Sequence, residues 1–205
     1  METRRPGTTI ANTLRASGQL KLTIADAFVD TAEIVVNACV RSLTDGGKLM
    51  FCGNGGSASD SQHLATELLI RLRTTVNRSP LAALALTLDS TTLTAGGNDF
   101  GFEAIFERPL RALGRPGDVL FALTTSGRSP NVLRALQAAR DMHITTIGLL
   151  GSTGSPASQY CDHFILIPSH DTARIQECHI TIGHAIIEMI EDSLLATGII
   201  GRDQP

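Results

Sequence analysis

The chain has no tryptophan and one tyrosine, and aromatic residues make up only 4% of it. Platforms on which nucleic-acid bases stack are therefore poorly supplied. It also has no excess of positive charge. Seventeen Lys and Arg stand against twenty Asp and Glu, a formal net charge of −3, and no basic block occurs. Affinity for a phosphate backbone depends on cations that neutralise it, so no nucleic-acid partner is expected. No run approaches the ~18–20 unbroken apolar residues of a membrane-spanning helix, so no membrane partner is expected either. The amino terminus, Met1-Glu2-Thr3-Arg4-Arg5-Pro6-Gly7, leads into mixed polar sequence, without the apolar stretch of a signal peptide. The four cysteines, Cys39, Cys52, Cys161 and Cys178, lie far apart with no CxxC spacing. They read as reduced thiols of a cytoplasmic protein, most of them in the core.

Internal repeats, low-complexity tracts and breaks in composition are missing too. At 205 residues, 42% hydrophobic and 18% charged, the chain has the material for one domain with a substantial core. Residues from about 9 to 45 read as helical, in two or so segments. Ile10, Leu14, Leu20, Leu22, Ile24, Phe28, Ile34, Val35, Ala38 and Leu43 recur at helical spacing. Asp45-Gly46-Gly47 ends that region. From about 46 to 198 the texture changes. Short apolar runs at 48–52, 81–86, 119–123, 144–149 and 164–167 alternate with segments of helical period, such as 57–72 and 130–140. Such alternation predicts βα units and a five-stranded parallel sheet covered on both faces, an α/β fold. A long apolar-rich helix is predicted over 173–196. Ligands of doubly wound sheets bind at the carboxyl ends of the strands, so the residues after each strand are the ones to read for chemistry.

Gly53-Asn54-Gly55-Gly56-Ser57 follows the first strand and opens a helix. Glycines admit a ligand close to the backbone, and a helix start offers unpaired N–H groups suited to a phosphate. Ser57 is either the N-cap or a phosphate donor. The same residues also suit a plain strand-to-helix turn. Thr124-Thr125-Ser126-Gly127-Arg128-Ser129, with Asn131 beyond, follows the third strand. A hydroxyl-rich loop at a helix start is a neutral cradle for a phosphomonoester, or an N-capping cluster before Pro130. Two such loops on one sheet favour a phosphorylated ligand. His63 and Glu67, four apart on a predicted helix, share a face and suit either one Zn²⁺ or a surface pair. On the last helix, His179 reads as a capping or surface histidine and Cys178 as a core thiol. His184, within Ile182-Gly183-His184-Ala185-Ile186-Ile187, reads as a buried histidine that needs a partner.

Taken in order, Gly53 to Ser57, His63, Glu67, Gly97-Asn98-Asp99-Phe100-Gly101, Thr125-Ser126-Gly127 with Ser129, and Arg174-Ile175-Gln176-Glu177 with His179 and His184 resemble the phosphoheptose isomerases, a branch of the SIS (sugar isomerase) domain proteins. The resemblance runs from about Leu43 to Leu194. It implies a flavodoxin-like three-layer α/β/α core with added N-terminal helices, and a cytoplasmic homotetramer with active sites between subunits. It implies conversion of sedoheptulose 7-phosphate to D-glycero-D-manno-heptose 7-phosphate, towards nucleotide-activated heptose for lipopolysaccharide or another glycan. It implies Zn²⁺ on His63, Glu67, Gln176 and His184, with Glu67 as general base and His184 as general acid. Substrate contacts would fall on Asn54, Gly55, Gly56, Ser57, Glu67, Asn98, Asp99, Thr124, Thr125, Ser126, Ser129 and Gln176. Two departures stand out. Thr124-Thr125 replaces the commoner Ser-Thr and keeps both hydroxyls, and Ala173 stands where some relatives carry Asp.

This toolkit suits a ketose-to-aldose conversion: one base moves a proton between C1 and C2 through a cis-enediol, and an acid or metal stabilises the oxygen. Two tensions accompany it. A carboxylate on zinc is a poorer base. And Gln176 and His184, eight residues apart, are separated by ~12 Å of rise and ~80° of rotation in one helix. Either the helix begins after Gln176 or the two side chains come from different subunits. The rival expectation is a non-catalytic SIS-domain adaptor, which binds a replication initiator or a phosphosugar and lacks the full His63, Glu67 and His184 set.

Overall fold

The computed structural model describes residues 6–87, 89–151 and 155–201. Residues 1–5, on which the reading of the amino terminus partly rests, lie outside the described residues.

Helices α1 (Pro6–Ile24) and α2 (Val29–Thr44) lead into strand β1 (Leu49–Gly53) and helix α3 (Gly56–Leu69). Strand β2 (Ala83–Ala85), helices α4 (Ser90–Phe100) and α5 (Glu107–Leu113) and strand β3 (Val119–Thr124) follow. Helix α6 (Pro130–Asp141), strands β4 (Thr145–Gly151) and β5 (His163–Ile167) and helix α7 (Thr172–Ala196) complete the chain. The strands form one parallel sheet in the order β2-β1-β3-β4-β5. This is the flavodoxin-like order, and its direction of winding reverses between β1 and β3.

Period-two alternation sends successive strand residues into two cores. Leu49, Phe51, Val119, Phe121, Leu123, Ile147, Leu149, Ile165 and Ile167 pack with α2, α3 and α7. Met50, Cys52, Leu120, Ala122 and Leu150 pack with α5 and α6. Burial on both faces is why β1, β3 and β4 are continuous apolar runs in the sequence. The second strand is shorter than its apolar run: Leu81 N–H donates to Leu68 O at the end of α3 instead of joining the ladder. Helix α7 starts on Asp171, whose carboxylate accepts from the N–H of Ala173 and Arg174. Neither α4 nor α5 was expected from the sequence. Asp89 caps α4 by accepting from Thr91 N–H, yet none of the helix's residues is buried, so it carries no apolar period to read.

Candidate active site

The reversal of winding between β1 and β3 sets a switch point at their carboxyl ends, where such sheets bind ligands. Both expected loops flank it. After β1, Gly55 caps α3 with φ +58°, a conformation that favours glycine. Ser57 is therefore not the N-cap; it lies buried inside the first turn. After β3, Thr124 is buried and its hydroxyl accepts from Gly127 N–H at 3.1 Å, so it shapes the turn. Ser126 accepts from Arg128 N–H. Gly127, at φ +62°, sits under Ser155 with no room for a side chain. Ser129 is the N-cap residue of α6 but its side chain makes no capping hydrogen bond, and Thr125 is half-buried. The Asn54 and Asn131 amides clasp each other, each donating to the other at 2.9 and 2.8 Å, and tie the two loops together. Asn131 was noted in the sequence only as a neighbour. Its role depends on a contact 77 residues away.

Along α3 and α7 a second cluster forms. Glu67 Oε1 lies 2.9 Å from His63 Nε2 and 3.3 Å from His184 Nε2, and the two Nε2 atoms are 3.2 Å apart. Glu67 is 13% exposed, whereas His184 is 38% and His63 52% exposed. His184 is thus a partly exposed histidine and not the buried one expected. Its partners are His63 and Glu67. Leu64 and Gly183, the neighbours of His63 and His184, explain the closeness. A Cβ at Gly183 would lie 2.7 Å from a Leu64 methyl, so glycine lets the two helices touch. Gly183→Ala is expected to cost a net of about 0–2 kcal/mol, as overpacking of about 1–3 is partly offset by alanine's helix preference of about 1. It should also weaken metal binding, measurable by thermal melts and chelator competition.

Three acceptor-bearing groups aimed at one point suit a cation. Tetrahedral Zn²⁺ with ligands at ~2.0–2.1 Å puts its donor atoms ~3.3–3.4 Å apart, close to the observed triangle. Among the described residues, His63, Glu67 and His184 form the His/Cys/Asp/Glu group able to hold a metal. Glu67 Oε2 is buried with no hydrogen-bond partner. Asp60, one turn before His63, also has a buried unpartnered oxygen, Oδ2. Burial raises its pKa, and His63 and His184 oppose that shift, so its carboxylate belongs to the same electrostatic cluster. Sequence reasoning missed Asp60, although Asp60, His63 and Glu67 at i, i+3 and i+7 share a helix face.

Other expected residues lie elsewhere. Helix α7 starts at Thr172, which removes the alternative of a helix beginning after Gln176. The Gln176 amide packs over Gly56, 2.5 Å from where a Cβ would stand. Gly56 precedes His63 by seven residues, ~10.5 Å along α3. Asn98 and Asp99 are exposed on α4, where Asn98 Nδ2 donates to Asp99 Oδ1 at 2.7 Å. Ala173 lies exposed in the first turn of α7, and the nearby Asp171 serves as that helix's N-cap. His179 is fully buried, neither a capping nor a surface histidine, and Cys178 is a core thiol.

The fold and the site together define a sugar isomerase domain: the sequence model of the SIS domain family matches residues 15–151. The resemblance extends further. The phosphoheptose isomerase of Paramagnetospirillum magneticum is 57% identical over 157 residues, 77% of this chain and 81% of that protein. That of Chlorobaculum parvum is 48% identical over 87% of this chain and 86% of the other. The solved phosphoheptose isomerase of Neisseria gonorrhoeae superposes with a TM-score of 0.85 at 37% identity, covering 92% of this chain and all of that one. The chain belongs to the phosphoheptose isomerase family.

Proposed function

We propose that the chain isomerises sedoheptulose 7-phosphate to D-glycero-D-manno-heptose 7-phosphate, an early step towards nucleotide-activated heptose. The observation that carries this reading is the convergence of Glu67, His63 and His184 within 3.3 Å, in a family of phosphoheptose isomerases. The phosphate would rest on the two loops at the β1/β3 switch point, against Gly55, Gly56, Ser57, Thr125, Ser126 and Ser129, where N–H groups of two helix starts and free hydroxyls converge. Asn54 and Thr124 would serve mainly by holding those loops in shape.

Glu67 is the general base and His184 the general acid. Glu67 removes the proton from one carbon and returns it to the next, while His184 protonates the oxygen. The two Glu67 oxygens differ: Oε1 faces the histidines, whereas Oε2 is buried and unpartnered, so Glu67 would turn between ligand and base as substrate arrives. His63, Glu67 and His184 would hold Zn²⁺, with Gln176 as a fourth ligand delivered by a second copy of the chain. The bound ion would polarise the substrate carbonyl.

A homotetramer with shared sites is part of the reading. It is supported by α4, which buries none of its own residues, and by exposed Ile10, Leu14, Leu22, Phe100 and Phe102. Asn98 and Asp99, on that same helix, would then meet substrate across a subunit boundary. A cytoplasmic location is supported by four free cysteines, and no described helix is long and apolar enough to cross a membrane.

The test is isomerisation of sedoheptulose 7-phosphate with metal analysis and size determination. One Zn²⁺ per chain is expected, with activity lost on chelation by at least about 10²-fold and restored by Zn²⁺. A folded, zinc-loaded chain inert on this sugar would point to another phosphosugar. A chain without zinc or turnover would favour the adaptor. An active monomer stable to dilution would overturn the shared site.

A further inference from the structure

Arg78 lies between α3 and β2 with its side chain wholly buried. A buried guanidinium requires its donors to be answered. Its Nε donates to Glu191 Oε1 at 2.7 Å. Its Nη1 donates to the carbonyls of Leu68 and Ser79 at 2.8 and 3.1 Å, and Nη2 to the carbonyl of Glu67 at 2.7 Å. The carbonyls of Glu67 and Leu68 belong to the last turn of α3, where helix geometry leaves acceptors unpaired and a cation meets the negative end of the dipole. Glu191 is also wholly buried, on α7, seven residues beyond His184. Seven residues are about two turns, so both side chains leave α7 on nearly the same face, ~10.5 Å apart along its axis. Glu191 Oε2 accepts from Arg73, which also reaches Glu188 and Asp192.

We propose that the buried Arg78–Glu191 pair is a positioning strut, which joins the backbone of Glu67 to the helix of His184 and fixes the height of α3 against α7. The inference rests on the isomerase reading above and adds to it residues outside the reacting groups. Stability alone does not call for the pair, since well-packed apolar replacements of buried ion pairs are often neutral or stabilising. Spanning two helix carbonyls and a carboxylate from another helix does call for a planar fork. A lysine, with one charged nitrogen, cannot match that geometry.

The experiment compares wild type with Arg78→Lys, Glu191→Gln and the double variant Arg78→Met/Glu191→Leu. Zn²⁺ affinity is read by competition with a chromophoric chelator, turnover of sedoheptulose 7-phosphate as kcat and KM, and folding as Tm. For Arg78→Lys and the double variant, Zn²⁺ affinity is expected to fall about 10–100-fold, as for other supports of metal ligands. The kcat should fall by a similar factor while KM stays within about threefold. The double variant, which also removes the donor to the carbonyls of Glu67 and Ser79 and a partner of Arg73, should fold with a Tm below that of wild type. Should Arg78→Lys fail to fold, Glu191→Gln and the double variant carry the same comparison. A folded double variant with the zinc affinity and kcat of wild type would reduce the pair to a structural one and overturn the inference. So would failure of all three variants to fold, which would make the pair a requirement of the fold. A wild type that neither binds zinc nor isomerises overturns the underlying reading, whereas an active wild type with indistinguishable variants overturns only the strut.

Discussion

Glu67→Gln is expected to lower kcat on sedoheptulose 7-phosphate by about 10²–10⁴-fold, the usual worth of a positioned general base. The amide keeps the size and planarity of the carboxylate but cannot take a proton from carbon at neutral pH. Its effect on folding should be small. Glu67 is held in place by its backbone, through Arg78, and by the packing of α3, whereas the polar partners of its side chain among the described residues are the two histidines. Zinc affinity should fall as well, because one anionic donor of three becomes neutral. Steady-state kinetics, zinc analysis and thermal melts on the one variant separate these effects. A loss in kcat that excess Zn²⁺ does not rescue assigns the base to Glu67. A full rescue by Zn²⁺ would make Glu67 a ligand only and move the search for a base to Asp60, the other carboxylate with an unpartnered oxygen in the cluster. Asp60→Asn is then the comparison to make.

The parts of the fold that were legible are those whose burial is written into local pattern. Strands β1, β3 and β4 are buried on both faces, so they appear as unbroken apolar runs. Helix α6 shows its start in Pro130 and its buried face in Val132, Ala135, Leu136 and Ala139. Helix α4 escaped notice because it packs so lightly on its own chain. At the site, His63 and Glu67 were legible from their spacing on one helix, but His184 lies 121 residues from His63. Only resemblance to a family joined them beforehand. Arg78 and Glu191, 113 residues apart, and Asn54 and Asn131, 77 apart, have no local signal at all. Ser57 shows the opposite error. A serine after glycines reads as a cap, yet Gly55 alone among them takes the positive φ from which α3 starts. Polar groups that act across the sheet are fixed by tertiary contact, and composition near them in the chain does not report it.

Stability should fall on acidification between about pH 6.5 and pH 4, with His179 as the main cause. Its side chain is fully buried on α7, and neither ring nitrogen completes a hydrogen bond. Burial pushes its pKa from 6.5 down to about 4, and the nearby backbone of Leu150 opposes the shift. The unfolded chain therefore binds a proton in this window that the folded chain refuses. The stabilisation is whole above pH 6.5 and is lost as the pH falls towards 4. A shift from 6.5 to about 4 corresponds to about 3 kcal/mol, or roughly 6–12 °C in Tm for a chain of this size. Asp60 acts the other way, since burial raises its pKa and acid relieves the strain of keeping it charged. The lowered carboxyls of Asp89 and Asp141 are fully exposed and add little. Thermal melts from pH 7.5 to 4.5 on wild type and His179→Leu make the test. The wild-type Tm should drop steeply below pH 6.5, and the variant, with no imidazole to protonate, should hold a flatter line. Parallel lines would mean that His179 takes up its proton in the folded state, and that the core around α7 and β4 admits more water than its packing implies.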